Sequence, residues 1–195
     1  MFGTTWHWGV RHQVAVVRLA FTGALMPYSV VIRSELPDDA PAISRITQLA
    51  FESSPHSSHT EQFIIQALRQ ADVLSLSLVA EVGSQVVGHI AFSPVQITDG
   101  SQQWYGLGPL AVAPELQRQG IGTALVNAGL AALRVRGAEG CVVLGEPQFY
   151  RRFGFRSRPE CVLEDVPEKY FQSQSFGPRA AIGKVTYHQA FSAQS

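Results

Sequence analysis

The feature that most constrains this chain is a junction. Between Leu107 and Arg136 an apolar run breaks at a glycine-bearing polar turn and gives way to an amphipathic helix pattern. In Gln117-Arg118-Gln119-Gly120-Ile121-Gly122 two glycines bare the backbone just where that helix begins. Unpaired N–H groups and the helix dipole can there face an anion, and Arg118 can add a charge-assisted contact. Ile121, Leu125, Ala128, Ala132 and Val135 recur at spacings of four, three, four and three, so the pattern predicts that all five share one buried face, with Gly137 as the stop. Leu107 to Val112 reads as a buried strand in which Pro109, lacking an N–H, must occupy a bulge or a broken ladder position.

The letters exclude two other phosphate loops. Gly122 is followed by Thr123 with no lysine nearby, so a nucleoside-triphosphate P-loop fails, and the GxG spacing is not a dinucleotide fingerprint. Taken alone, the glycine pair is equally compatible with a tight strand-to-helix connection.

The flanking context points further. Gln117 to Gly122 resembles the (Q/R)xxGx(G/A) signature of the GNAT superfamily of acyl-CoA-dependent N-acetyltransferases, preceded by a strand end of the matching type, Leu110 to Pro114. Downstream, Phe149-Tyr150-Arg151-Arg152-Phe153-Gly154-Phe155 is similar to that superfamily's FYxxxGF segment. Leu144 to Pro147 and Gly183 to Phe191 look most like its bacterial YhbS-like branch. The resemblance implies an α/β (α+β) fold with a mixed, mostly antiparallel central sheet flanked by helices, in which two parallel strands splay apart at a cofactor cleft. It implies acetyl-CoA as cosubstrate, bound by Leu110, Ala111 and Val112 of the strand end, by Gln117, Arg118, Gln119, Gly120, Ile121, Gly122 and Thr123 of the loop, and by Phe153. Tyr150, the tyrosine of the FYxxxGF segment, is implied as the acid that protonates the departing thiolate; its bland alternative is an aromatic wedge between helix and sheet. No metal is expected: Cys141 and Cys161 come without clustered histidines.

The general base is not assigned. The region equivalent to the strand glutamate of some relatives, Tyr105 to Gly108, has no carboxylate. Glu81 reads as a solvated hairpin residue, His89 as a satisfied, partly buried histidine, and Glu146 as a helix cap.

A chain of 195 residues, 46% hydrophobic, suits one core. The expectation is a single domain over 28–195, with 1–27 as a poorly ordered extension; Trp6, Trp8, Arg11 and Arg18 leave a membrane-surface or targeting segment as its alternative. Zero net charge offers no basic field for nucleic acid, and no uncharged stretch is long enough for a membrane span. Cys141 in an apolar run suggests a reduced thiol and a cytoplasmic setting.

From Val30 onward strand and helix patterns alternate. A strand at Val30 to Arg33 is followed by a helix after Pro37-Asp38-Asp39 carrying Ala42, Ile43, Ile46, Leu49 and Ala50, a polar loop from Ser53 to His59, and a helix from Glu61 to Ala71. Leu76 to Val82 and Gln85 to Ile97 flank a hairpin signal at Gly83-Ser84, and Gln102 to Val112 follows as a third strand. A strand at Cys141 to Leu144, a short helix near Gln148 to Arg152, and strands near Phe155 to Ser157 and Ala180 to Tyr187 complete the reading. The expected partner is a small-molecule or peptide amine, received between Phe51 to His59 and Val162 to Phe176. Neither nucleic acid nor membrane is expected, and a homodimer is left open. The alternative to an N-acetyltransferase acting by direct attack on the thioester is a non-catalytic acyl-CoA-binding or sensing domain.

Overall fold

The computed structural model describes residues 15–18, 29–52 and 59–194. Two antiparallel strands come first, β1 (Ala15–Arg18) and β2 (Ser29–Ser34), then two helices, α1 (Ala40–Glu52) and α2 (Glu61–Gln70). A meander follows of β3 (Leu76–Val82), β4 (Gln85–Ile97) and β5 (Trp104–Val112). The long helix α3 (Ile121–Val135) returns the chain to β6 (Gly140–Leu144), which runs parallel to β5; α4 (Pro147–Tyr150) and a 3-10 turn come next. The short β7 (Cys161–Val162), β8 (Phe171–Ser175) and β9 (Gly183–Tyr187) end the order. Among the described residues the sheet runs β1-β2-β3-β4-β5-β6-β8, with β9 pairing β4 and β7 beside it. Among the described residues only β5–β6 and β7–β9 are parallel, so the sheet is mixed and mostly antiparallel, as expected.

The β3–β4 hairpin follows from its turn: Gly83 and Ser84 both have positive φ, +53° and +69°, the handedness a two-residue hairpin needs. The end of α3 is equally local. Ala138 N–H reaches the Leu133 carbonyl at 3.0 Å and Gly137 N–H the Arg134 carbonyl at 3.0 Å, the Schellman pattern with Gly137 left-handed at φ +79°.

α3 packs on one face of the sheet. Ile121, Leu125, Ala128 and Ala132 are buried there, while Val135 is 76% exposed, because Ala132 and Leu133 are the last buried residues of the helix. Leu49 of α1 is likewise 39% exposed; Ile43, Ile46 and Thr47 make that helix's buried side. α1 and α2 cover the opposite face of the sheet, where Ile43 and Ile65 meet Val79.

Two expectations for the later strands need correction, and the first segment holds one described strand. Ala15–Arg18, inside the expected extension, is a strand paired with β2; residues 1–14 and 19–28 lie outside the described residues, as do 53–58 of the polar loop. Phe155 to Ser157 is not a strand: only Arg156 bonds across to Ser173, at 3.1 and 2.8 Å. Phe171–Ser175, within the segment Val162 to Phe176 expected to receive the acceptor and assigned no strand, is a strand beside β6, its backbone pairing within the sheet. Gln172, for example, is buried and donates to the Gly145 carbonyl at 3.3 Å.

Candidate active site

The site grows from a discontinuity in the sheet. β5 and β6 pair from Trp104↔Gly140 to Leu107↔Val143 and no further, so among the described residues Gly108–Val112 continues with no strand neighbour on that side. The parting coincides with a bulge: Ile90 faces Leu110 and Phe92 faces Leu107, leaving Gly108 and Pro109 as the irregular stretch that the missing proline N–H requires. Beyond the bulge, Ala113 N–H donates to the Val87 carbonyl at 2.9 Å. Antiparallel alternation then turns the backbone groups of Ala111 toward β4 and those of Leu110 and Val112 toward the gap. The gap-facing edge can therefore pair with an extended, amide-bearing arm through Leu110 and Val112. The Ala111 backbone serves β4, and its buried side chain sits on the α1/α2 face.

The chain turns sharply into α3. Arg118 and Gly120 both adopt left-handed backbone, φ +60° and +86°, and Gly120 is the N-cap residue without a side-chain cap. Among the described residues the N–H groups of Gly120, Ile121, Gly122 and Thr123 have no acceptor, the first intrahelical bond at this end running from Ala124 N–H to the Gly120 carbonyl at 2.9 Å. Gln117 ties the loop to the strand by donating Nε2 to the Val112 carbonyl at 3.1 Å.

These elements border a cavity of about 640 Å³ lined by Ala50, Phe51, Leu110, Val112, Gln117, Arg118, Gly120, Gly122, Thr123, Phe149 and Arg152. Four bare N–H groups, a helix dipole and two guanidinium groups suit a diphosphate, and the free strand edge beside them suits the arm it carries. Ala111, Gln119, Ile121 and Phe153 do not line the cavity. Ile121 is buried in the apolar core, and Phe153 packs on Phe149 with ring centroids 5.3 Å apart. Arg152, unassigned from sequence, sits with its guanidinium 5.0 Å from the centre of the Phe149 ring. Its position two residues after Tyr150 was the available signal.

Tyr150 is 8% exposed, on the α3 face, edge-on to Phe149 and Phe155 at 5.0 and 5.9 Å. Its ring lies against Gly145, where an added Cβ would come within 2.5 Å of it. Burial holds its phenol well above the usual tyrosine range, so it is a neutral donor. Burial also raises the Cys141 thiol, and both cysteines are free. Among the described residues no group of three His, Cys, Asp or Glu side chains is arranged to hold a metal ion.

Of the considered bases, Glu146 sits as expected, while Glu81 and His89 do not. Glu146 does cap α4, accepting from Gln148 N–H at 3.3 Å. Glu81 is engaged at its hairpin end by Arg33 Nε at 2.8 Å, and Arg33 also forks onto both oxygens of Asp39 at 2.6 and 2.9 Å. His89 is fully buried, and among the described residues only one of its nitrogens has a partner.

Comparison with known proteins agrees with this architecture. Residues 74–157 match the family described as Acetyltransferase (GNAT) domain. The uncharacterized N-acetyltransferase YhbS of Escherichia coli K12 is 36% identical over 168 residues, covering 83% of this chain and 98% of that protein. A GNAT family acetyltransferase from Brucella melitensis, solved in complex with acetyl-CoA, is 48% identical with a TM-score of 0.75, covering 83% of this chain and 97% of that one. The structure of Escherichia coli YhbS in complex with CoA is 32% identical with a TM-score of 0.79, covering 89% and 98%. The chain belongs to the GNAT acetyltransferases.

Proposed function

We propose that the protein transfers an acetyl group from acetyl-CoA to a primary amine by direct attack of the amine on the thioester. The observation that carries this reading is the meeting of two unsatisfied edges: the strand end at Leu110 and Val112, and the bare α3 N-terminus flanked by Arg118 and Arg152. The Brucella melitensis relative was solved with acetyl-CoA and the Escherichia coli relative with CoA, which supports the same ligand here. When bound, acetyl-CoA supplies an activated acyl carbon. The protein's part is to hold it: N–H groups of residues 120–123 on the diphosphate, the Leu110 and Val112 edge along the arm, and a strand N–H polarising the carbonyl, a donor worth about 2.7–4 kcal/mol where such groups have been removed. Tyr150, kept protonated by burial, donates to the leaving sulfur. The raised Cys141 thiol is a poor nucleophile, which favours direct attack over an acyl-cysteine route. The acceptor is a small-molecule or peptide amine, and the two free thiols suit the cytoplasm.

Thermal shift with acetyl-CoA, followed by transfer to an amine panel, tests the reading. Acetyl-CoA is expected to raise the melting temperature, and Tyr150→Phe to lower kcat by on the order of 10²-fold with little change in acetyl-CoA affinity. Undiminished turnover in Tyr150→Phe would remove the acid role. Binding without transfer to any amine would leave an acyl-CoA sensor.

A further inference from the structure

The face of the sheet under α1 and α2 holds a polar arrangement that the cofactor cleft does not explain. Glu35, just after β2, accepts from Arg69 Nε at 3.0 Å and from Arg69 Nη2 at 2.5 Å. The Ser77 hydroxyl also donates to Glu35, through Oε2. That hydroxyl has a single proton, so its remaining contact, 2.8 Å from His89 Nε2, must be one in which it accepts. His89 Nε2 is 3.7 Å from Glu35 itself, too far for a hydrogen bond, so the connection runs through Ser77. The chain Glu35–Ser77–His89 thereby fixes the tautomer. The ring proton is on Nε2, and Nδ1 carries a bare lone pair, buried and without a partner among the described residues.

That lone pair lies one strand from the opening. His89 is paired with Ala111 of β5, so both project on the α1/α2 face, one strand in from the free edge of β5. Adjacent strands are about 4.8 Å apart, a distance one water spans. The same face holds two more buried atoms without a partner among the described residues, Ser93 Oγ and Tyr187 Oη. Ser93 is paired with Gly106, next to the last β5–β6 pair, and the Tyr187 ring lies directly over Gly106, where a Cβ would come within 2.3 Å of it. Three unsatisfied polar atoms along one strip of sheet, ending at the parting of β5 and β6, make a place for ordered water.

We propose that His89 takes the acceptor amine's proton on Nδ1, through water on the α1/α2 face, with Ser77 and Glu35 as positioning residues. This deepens the transferase reading and rests on it. The amine lone pair forms the N–C bond, and the C–S bond breaks with its electrons going to sulfur. The surplus proton on nitrogen passes to Nδ1, and sulfur takes one from Tyr150. Imidazolium and phenolate then exchange a proton through solvent, which restores both. Proton acceptor and proton donor stand on opposite faces of the sheet opening, so amine and thiolate do not compete for one side. The charged groups around the ring are Glu35 after β2, Arg69 of α2 and Asp39 before α1.

Two measurements on the full chain decide the matter. Long-range nitrogen–proton NMR should find neutral His89 protonated on Nε2; a proton on Nδ1 overturns the proposal whatever the acceptor. In kinetics, His89→Gln should lower kcat by on the order of 10²-fold and remove the acid limb of the kcat–pH profile, leaving KM for acetyl-CoA within about twofold. Ser77→Ala, which removes less from the interior, should show a smaller loss that Ser77→Thr restores. Wild-type kcat and an intact limb in His89→Gln overturn the proposal alone. Absence of transfer by the wild type to any amine overturns the transferase reading and this inference with it.

Discussion

The two faces of this sheet are built on different principles. Under α3 the interior is apolar and closely fitted: Ile90, Phe92, Leu107, Leu125, Leu133 and Val143 share one cluster, and the Phe92 ring occupies the space that a Cβ on Gly129 would fill, 2.4 Å away. Under α1 and α2 the interior carries His89, Ser77, Ser93 and the largely buried carboxylate of Glu35. Apolar burial near 25 cal/mol per Å² makes the first face, with its larger apolar cluster, the larger source of stability. The second face sacrifices part of that for groups that move protons, because a buried polar atom without a partner is a net cost. Apart from Tyr150, which sits on the α3 face, the buried polar groups and the closely packed apolar core are thus separated by the thickness of one sheet, and substitutions in the two should affect different quantities.

The largest effect belongs to the α3 face. Phe92→Ala removes a fully buried ring that Gly129 was shaped to receive, and is expected to cost about 3–5 kcal/mol in urea denaturation, with the surviving folded fraction still turning over. A loss below about 2 kcal/mol would mean that the face collapses around the gap and is less closely packed than the Gly129 contact indicates.

The α1/α2 face should reveal itself through pH. Burial pushes the His89 imidazole below its ordinary value of 6.5, and nearby Glu35 only partly offsets this. The folded protein therefore keeps His89 neutral where the unfolded chain binds a proton. Stability from this group rises with pH up to about 6.5 and is lost as pH falls below it toward the folded value, with a slope of at most about 1.4 kcal/mol per pH unit. His89→Gln should remove that slope. A second loss lies lower. For Glu35, burial raises the carboxyl, but the nearby His89 ring, the Ser77 hydroxyl and the Arg69 guanidinium outweigh it, and Arg33 lowers Asp39. Their stabilisation is complete above the ordinary values of 4.5 and 3.8 and disappears as pH falls through the depressed ones. An unchanged slope above pH 5 in His89→Gln would show that the ring takes up its proton at the same pH in the folded and unfolded chain.

The same division explains what the sequence disclosed. The cofactor end is coded locally: the glycines of the loop, the proline of the bulge and the stop at Gly137 lie within a few residues of what they shape, and the boundaries of β3 and β4 follow from Gly83-Ser84. The proton relay is coded across the chain. Glu35 meets Ser77 over 42 positions and Arg69 over 34, so no local pattern marks them, and His89 reads as an ordinary strand residue until β3 is set beside it. β8 was missed for a related reason. Its Gln172 and Ser173 look like loop residues, and only pairing with β6 and the bridge to Arg156 makes them interior. Periodicity also overreached where a helix outlasts its contact, as Leu49 and Val135 show.

Val135 supplies the finest test, because it asks whether the apolar face ends where Ala132 and Leu133 end it. At 76% exposure Val135 has little burial to lose, and it occupies the last turn of α3, where a β-branched residue is a poor helix former and a cation is favoured by the helix dipole. Val135→Lys is therefore expected to stabilise the protein by about 0.3–0.6 kcal/mol, a rise in melting temperature of roughly 1–2 °C for a domain of this size. A loss of more than about 1 kcal/mol would show that a surface covers this end of the helix in solution, and the apolar face would then extend the full length that the spacing of Ile121, Leu125, Ala128, Ala132 and Val135 predicts.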